Sequence, residues 1–179
     1  MLGYILRRVL MKKLISVIGI IVLLLLSGCD LGAEHKNIGE KSEFCLISET
    51  IVIELNMDIS KVNKEPISVA LGSGDGFDWA VNQYDDIEIK TLLSDDDKNI
   101  INRISTQSPN YETARGIRVG DGVAKLLDLH KEDLAHSKSP EAEYYLFDPE
   151  DDIGFKKIYF YIDENDAIHT IVMEDGIDG

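Results

Sequence analysis

Cysteine is nearly absent. The 179 residues hold two, Cys29 and Cys45, which excludes a disulfide framework and leaves core packing to stabilise the fold. Histidine is thin as well: His35, His130, His136 and His169 lie far apart and share no metal-ligand spacing. The chain has no Gly-x-Ser-x-Gly, His-Glu-x-x-His or Cys-x-x-Cys, and no phosphate-cradling glycine loop. The local marks of hydrolase, zinc and nucleotide sites are therefore missing, and neither a metal nor a cofactor is expected. Basic charge is short, with 18 Lys and Arg against 33 Asp and Glu and a net charge of −15. That balance excludes a nucleic-acid surface, which needs a basic face to meet phosphates. No apolar run is long enough to cross a bilayer. The stretch Leu14 to Leu26 has 13 residues and would cover about 20 Å of a hydrocarbon core about 30 Å thick.

What that stretch does fit is a signal peptide. Residues 1–28 carry Arg7, Arg8, Lys12 and Lys13, no acid, and then the apolar run. Met11-Lys12-Lys13 alone would make a complete basic region, so either Met1 or Met11 can serve as the start. Leu26-Ser27-Gly28-Cys29 follows directly and resembles the lipobox of bacterial lipoproteins. The resemblance implies that the Cys29 thiol is diacylated and that Cys29 becomes the mature N-terminus, with palmitate-type chains holding the protein to the cell membrane on its extracytoplasmic face. Asp30 beside it resembles, in envelopes with two membranes, a signal for staying at the inner one. Two acyl chains give lasting attachment, each buried CH₂ contributing about 0.8 kcal/mol. All four bases of the leader are lost on cleavage, so the mature part keeps 14 bases against 33 acids, a charge of −19. Anionic headgroups repel such a body, and the lipid must hold it. Residues 29–45 read as a flexible tether. With Cys29 acylated, Cys45 is the only free thiol.

The 151 mature residues suffice for one medium body, and that body contains an internal repeat. At an offset of 64, Ile53 meets Ile117, Leu55 meets Val119, Ile59 meets Val123, Val62 meets Leu126 and Lys61 meets Lys125. Asn56 meets Gly120, the two residue types that most readily adopt a left-handed backbone, which predicts one shared turn, continued by Asp121 in the second copy. The expected fold is α+β. Two tandem units, 46–108 and 109–179, each have short helices followed by an antiparallel β-meander, and they pack as one body. In the first unit Asp58 caps a helix to about Lys64, and Pro66 starts a second helical turn reaching Leu71. Strands follow over Phe77 to Tyr84, Asp86 to Leu92 and Asn99 to Ser105, with Ile101 on the opposite face from Ile104. In the second unit Asp121 caps a helix carrying Val123, Leu126, Leu127 and Leu134, which His136 to Pro140 breaks. Glu143 to Phe147 is a strand, and Phe155 to Ile162 with Ala167 to Met173 forms a hairpin. Ile101-Asn102-Arg103-Ile104 matches Ile168-His169-Thr170-Ile171 at an offset of 67.

Units that open with Ile-x-Leu/Val-Asn/Gly, as Ile53 to Asn56 and Ile117 to Gly120 do, resemble the beta-lactamase inhibitor protein family. They are also similar to the SmpA/OmlA family of small lipoproteins of the barrel-assembly machine. The most specific part is Thr113 to Asp121, and the resemblance implies a non-catalytic surface on the exposed face of the sheets that engages another protein. The leading expectation is an anchored protein-interaction module, an inhibitor or scaffold of an envelope protein. The alternatives are an envelope hydrolase with a non-contiguous site, or a small-ligand or Ca²⁺ binder. Asp95 to Asp97 and Asp148 to Asp152 could offer oxygens to Ca²⁺ but lack the spacing of a calcium loop, and read as solvated hairpin tips. Trp79, Tyr84, Tyr144, Tyr145, Tyr159 and Tyr161 are the candidate partner anchors, half of them expected in the core.

Overall fold

The computed structural model describes residues 42–74, 76–93, 98–131, 133–149 and 155–176. The expected leader, the expected lipidation site at Cys29, most of the expected tether, and the acidic segments 95–97 and 150–152 lie outside the described residues. The described residues are mainly β, with one short α-helix. The strands are β1 (Cys45–Ile47), β2 (Val52–Glu54), β3 (Ser68–Gly74), β4 (Phe77–Gln83), β5 (Ile87–Leu93), β6 (Asn99–Thr106), β7 (Glu112–Thr113), β8 (Leu134–Lys138), β9 (Glu143–Phe147), β10 (Lys156–Ile162) and β11 (Ile168–Asp175). The helix α1 spans Val123–His130. Eight strands form one antiparallel sheet in the order β3-β4-β5-β6-β11-β10-β9-β8, and β2-β1-β7 form a small second sheet.

The meanders follow the period-two alternation of their sequences. In β5, Ile87, Ile89 and Thr91 are buried while Glu88, Lys90 and Leu92 are not, and in β10 Ile158, Phe160 and Ile162 are buried between partly exposed Tyr159 and Tyr161. The inward isoleucines of β5 and β10 and Phe160 join Leu46 and Ile53 of the small sheet, Leu126 of α1, and Val62 and Ile117 of the connecting segments in one hydrophobic core. Burying such side chains contributes roughly 1.5–3 kcal/mol each.

Helices are fewer than the sequence led us to expect. Among the described residues the first half has only a 3₁₀ turn, Ile59–Lys61, whose cap Asp58 accepts from the Ser60 N–H at 2.9 Å. The second turn expected from Pro66 to Leu71 is instead strand β3. Val69 and Leu71 alternate there with small residues, and seven consecutive pairings with β4 outweigh a single short helical turn. Helix α1 stops at His130, because Lys131 has φ +50, and Leu134, His136 and Lys138 belong to β8. Gly122, not Asp121, holds the cap position of α1. The Asp121 carboxylate accepts from the Arg118 N–H at 2.8 Å and pairs with Lys125 at 2.7 Å. Ile101 and Ile104 are both buried, since β6 bulges at Asn102: Arg103 pairs with Lys90 and Ile101 with Thr91. An extra residue there returns the side chains to the same face. The body also begins before position 46, as Phe44 and Cys45 are buried.

Asn56 (φ +68) and Gly120 (φ +92) both adopt the left-handed region. Asn56 donates to the Ile101 carbonyl at 2.8 Å and Ile101 to that of Met57 at 2.9 Å. Gly120 donates to the Ile168 carbonyl at 2.7 Å and Ile168 to that of Asp121 at 2.9 Å. Space around Gly120 is open. Gly120→Ala should therefore cost only the backbone term, about 1–2 kcal/mol, while Asn56→Gly stays within about 0.5 kcal/mol of the parent, both read by urea unfolding.

Candidate binding face on the large sheet

Side chains that alternate away from the core give the large sheet a second face, which no other described element covers. Four of the six candidate aromatics share it. Trp79 on β4, Tyr144 on β9, and Tyr159 and Tyr161 on β10 are each only partly buried. Tyr84 is instead in the core, and Tyr145 lies on the inner side, stacked on His136 with ring centroids 4.5 Å apart.

The three outer tyrosines form one cluster. Tyr144 meets Tyr159 and Tyr161 at 5.5 Å each, and Tyr159 lies near-parallel to Tyr161 at 6.3 Å. Cross-strand pairing explains it, for Tyr144 sits directly opposite Tyr161 across β9 and β10, within reach of the diagonal neighbour. At the other end Trp79 pairs with Gly72, where an added Cβ would sit 2.1 Å from the indole. Gly72 thus leaves the room in which the ring lies, and the Lys90 ammonium stands 5.1 Å from the ring centroid.

Between the two aromatic zones lies an ionic centre. Arg103 on β6 reaches Glu88 at 3.3 Å and Glu174 at 3.9 Å, because β5, β6 and β11 are neighbours and all three residues alternate outward. Burial, and then the Glu174 carboxylate beside it, push the Tyr159 hydroxyl up to about 12. It stays protonated at neutral pH and acts as a donor, not a base. Val172, opposite both Ser105 and Tyr159, is almost fully covered by these neighbours. The arrangement offers flat aromatic area with a fixed polar centre, the make-up of a contact surface.

The other sequence candidates are not brought together. Asn56, Gly120 and Asp121 lie in turns. His130 is buried with both ring nitrogens unpartnered, His136 pairs with Glu143 at 3.0 Å, and His169 forms the bulge of β11 and meets the Thr170 hydroxyl at 2.8 Å. Among the described residues no three His, Cys, Asp or Glu side chains are placed to hold a metal ion. A cleft of about 390 Å³ between Asp86, Glu88 and Ser108 is acidic, but Asp86 already accepts from Ser108, Asn110 and Tyr111 at 3.1–3.3 Å. A larger one, about 610 Å³, holds Lys64 and Arg118, which pair with Asp85 and Glu112. No described helix is long and apolar enough to cross a membrane.

The Arg103 network was not among the sequence candidates. Its signal was available in the alternation of Asp86 to Leu92, which puts Glu88 and Lys90 on the face opposite Ile87 and Ile89, but Glu174 joins it only through the pairing of β6 with β11. Compared with protein-family models, with curated proteins and with solved structures, the chain gives no match.

Proposed function

We propose that this chain is a membrane-anchored extracytoplasmic lipoprotein whose duplicated body is a non-catalytic protein-interaction module, an inhibitor or scaffold of an envelope protein, and that the partner lies on the outer face of the large sheet. The observation that carries this reading is the uncovered row of Trp79, Tyr144, Tyr159 and Tyr161 around the Arg103 centre. Aromatic rings give much contact area at low entropic cost, and arginine is the charged residue most often found at such hot spots.

Duplication is supported by a set of repeated details. The hydrogen bonds that tie Asn56 to Ile101 recur between Gly120 and Ile168, and the bridge of Asp58 to Ile100 recurs between Gly122 and Ala167. Asn102 bulges against Lys90 and Thr91 as His169 bulges against Tyr161 and Ile162. The pairing of β6 with β11 is itself symmetric, with Ser105 opposite Val172 and flanked by Ile104 with Met173 and Thr106 with Ile171. A twofold operation through Ser105 and Val172 exchanges those flanking pairs. In this reading the fold is two units, each a turn, a helical segment and a four-stranded meander, the first helix having shrunk to 3₁₀. That organisation is what the resemblance to the beta-lactamase inhibitor protein and SmpA/OmlA families implies.

Two experiments test the proposal. Cys29→Ala should release the protein from membranes or leave it uncleaved, and unchanged fractionation would contradict lipidation. Tyr161→Asp, at a partly exposed site, should leave the unfolding midpoint nearly unchanged while cutting recovery of the bound envelope protein with the full-length chain about tenfold or more, the scale of a hot-spot loss. Turnover of an envelope substrate without any bound protein would overturn the reading.

A further inference from the structure

We propose that β3 is a self-association edge: two copies of this chain pair antiparallel through Ser68–Gly74 about a twofold axis, joining their large sheets into one. Among the described residues strand β3 ends the strand order and bonds on one side only, to β4. Ile67 donates to the Gln83 carbonyl at 2.7 Å. Within the sheet the Tyr84 N–H donates to the Ile87 carbonyl at 2.9 Å, so Tyr84, Asn82 and Ala80 turn their backbone groups to β5. Gln83, Val81, Trp79 and Phe77 turn theirs to their β3 partners Ser68, Ala70, Gly72 and Gly74. By the alternation of an antiparallel ladder, those of Val69, Leu71 and Ser73 point outward. Such an open edge is a template for another strand. Along it Val69 and Leu71, which alternate onto one side of the strand, are 52% and 74% exposed, and Ile67 just before it is 66% exposed.

Charge selects a second copy as the occupant. The chain carries −15 overall, so two copies repel over most approaches. Residues 66–74 hold no charged side chain, so two β3 strands meet without setting like charges against each other. The opposite edge, β8, differs: Lys138 and His136 lie on it, both engaged with Glu143, and charged edges discourage strand addition. Pairing β3 with β3 also closes after two copies, whereas joining unlike edges would leave both ends open to further growth.

The strand is self-complementary when centred on Leu71. Val69 then faces Ser73, Leu71 faces Leu71, and the outward backbone groups of all three find partners. Leu71 faces its own copy at a hydrogen-bonded position, the two residues exchanging both N–H···O bonds with their Cα atoms about 5.5 Å apart, and the side chains meet across the pair. The two glycines leave nothing to obstruct the approach.

Sedimentation of the full-length chain in detergent tests this. The parent chain should be a dimer and Leu71→Lys a monomer with an unchanged circular dichroism spectrum, since the side chain is mostly exposed. In a second measurement, Leu71→Cys should give a covalent dimer on a non-reducing gel under mild oxidation, while Lys138→Cys, on β8, gives no more than the parent. A monomeric parent, a dimer that survives Leu71→Lys, equal cross-linking through both cysteines, or an edge occupied by a strand of another protein in place of a second copy would overturn the proposal.

Discussion

Replacing His130 with leucine should flatten the stability of this protein between pH 7 and pH 4. The imidazole is 2% exposed at the end of α1, edge-on to Phe147 at 4.9 Å and Phe160 at 5.4 Å, and neither nitrogen has a hydrogen-bond partner. Burial, and then the Arg115 guanidinium, lower its pKa from an ordinary 6.5 to about 4, with Asp133 opposing in part. The unfolded chain therefore binds the proton more readily than the folded one. The stability this gives is complete above pH 6.5 and is lost as pH falls toward 4; a gap of that size corresponds to about 3 kcal/mol. Asp58 and Asp163 do not confuse the window. Backbone N–H groups, from Ser60 to the first and from Ala167 and Asn165 to the second, hold both below the usual carboxylate range, so their contribution is lost below about pH 4. His130→Leu should match or exceed the parent at pH 7, because it removes two unsatisfied buried nitrogens, and should show most of that decline gone. Urea unfolding at pH 7, 5.5 and 4.5 reads it; a parent and variant that fall in parallel would sink the assignment.

The largest loss from one substitution is expected at Phe160. It is fully buried at the middle of β10, opposite Tyr145 on one side and Ile171 on the other, and it supports the end of α1 through His130. Phe160→Ala removes most of a ring from a closed site and should cost about 3–5 kcal/mol, against a total of about 5–15 kcal/mol for an ordinary domain. Ile89 holds the matching place in the first half, opposite Asn82 and Ile104, and Ile89→Ala should cost about 2–5 kcal/mol. Both sites belong to one hydrophobic core, so each variant should unfold in a single transition with its midpoint lowered and its slope kept. Two separated transitions in either variant would show that the halves unfold independently.

Much of the sheet was legible in the sequence because its strands are half-buried. Asp86 to Lys90 alternates polar with apolar residues, and Ile158 to Ile162 alternates Tyr with Ile and Phe; such a pattern permits one face to turn inward. The left-handed turns were legible because few residues tolerate that backbone, and Asn and Gly head the group. Strand β3 was not legible. Pro66 is compatible with a helix start, and what makes Ser68–Gly74 a strand is its ladder with β4, a non-local partner. The bulges at Asn102 and His169 were hidden for the same reason, since a bulge is a relation between two strands. The outer face was half legible: alternation divides Tyr159 from Phe160, but only the strand order brings Trp79, Arg103 and Tyr144 onto one surface. Lys131, at φ +50, ended α1 four residues before the apolar spacing did, because Leu134 imitates a helical period while serving β8.

The outer face is tested most directly by installing a photo-cross-linking side chain, one position at a time, in the full-length chain in its native envelope. Positions Lys90, Tyr144 and Tyr161 lie on that face, and Leu129, 39% exposed on α1, serves as the reference. The account predicts one and the same envelope protein captured from the three sheet positions and not from Leu129. Capture of nothing from the sheet, or equal capture from Leu129, would contradict it.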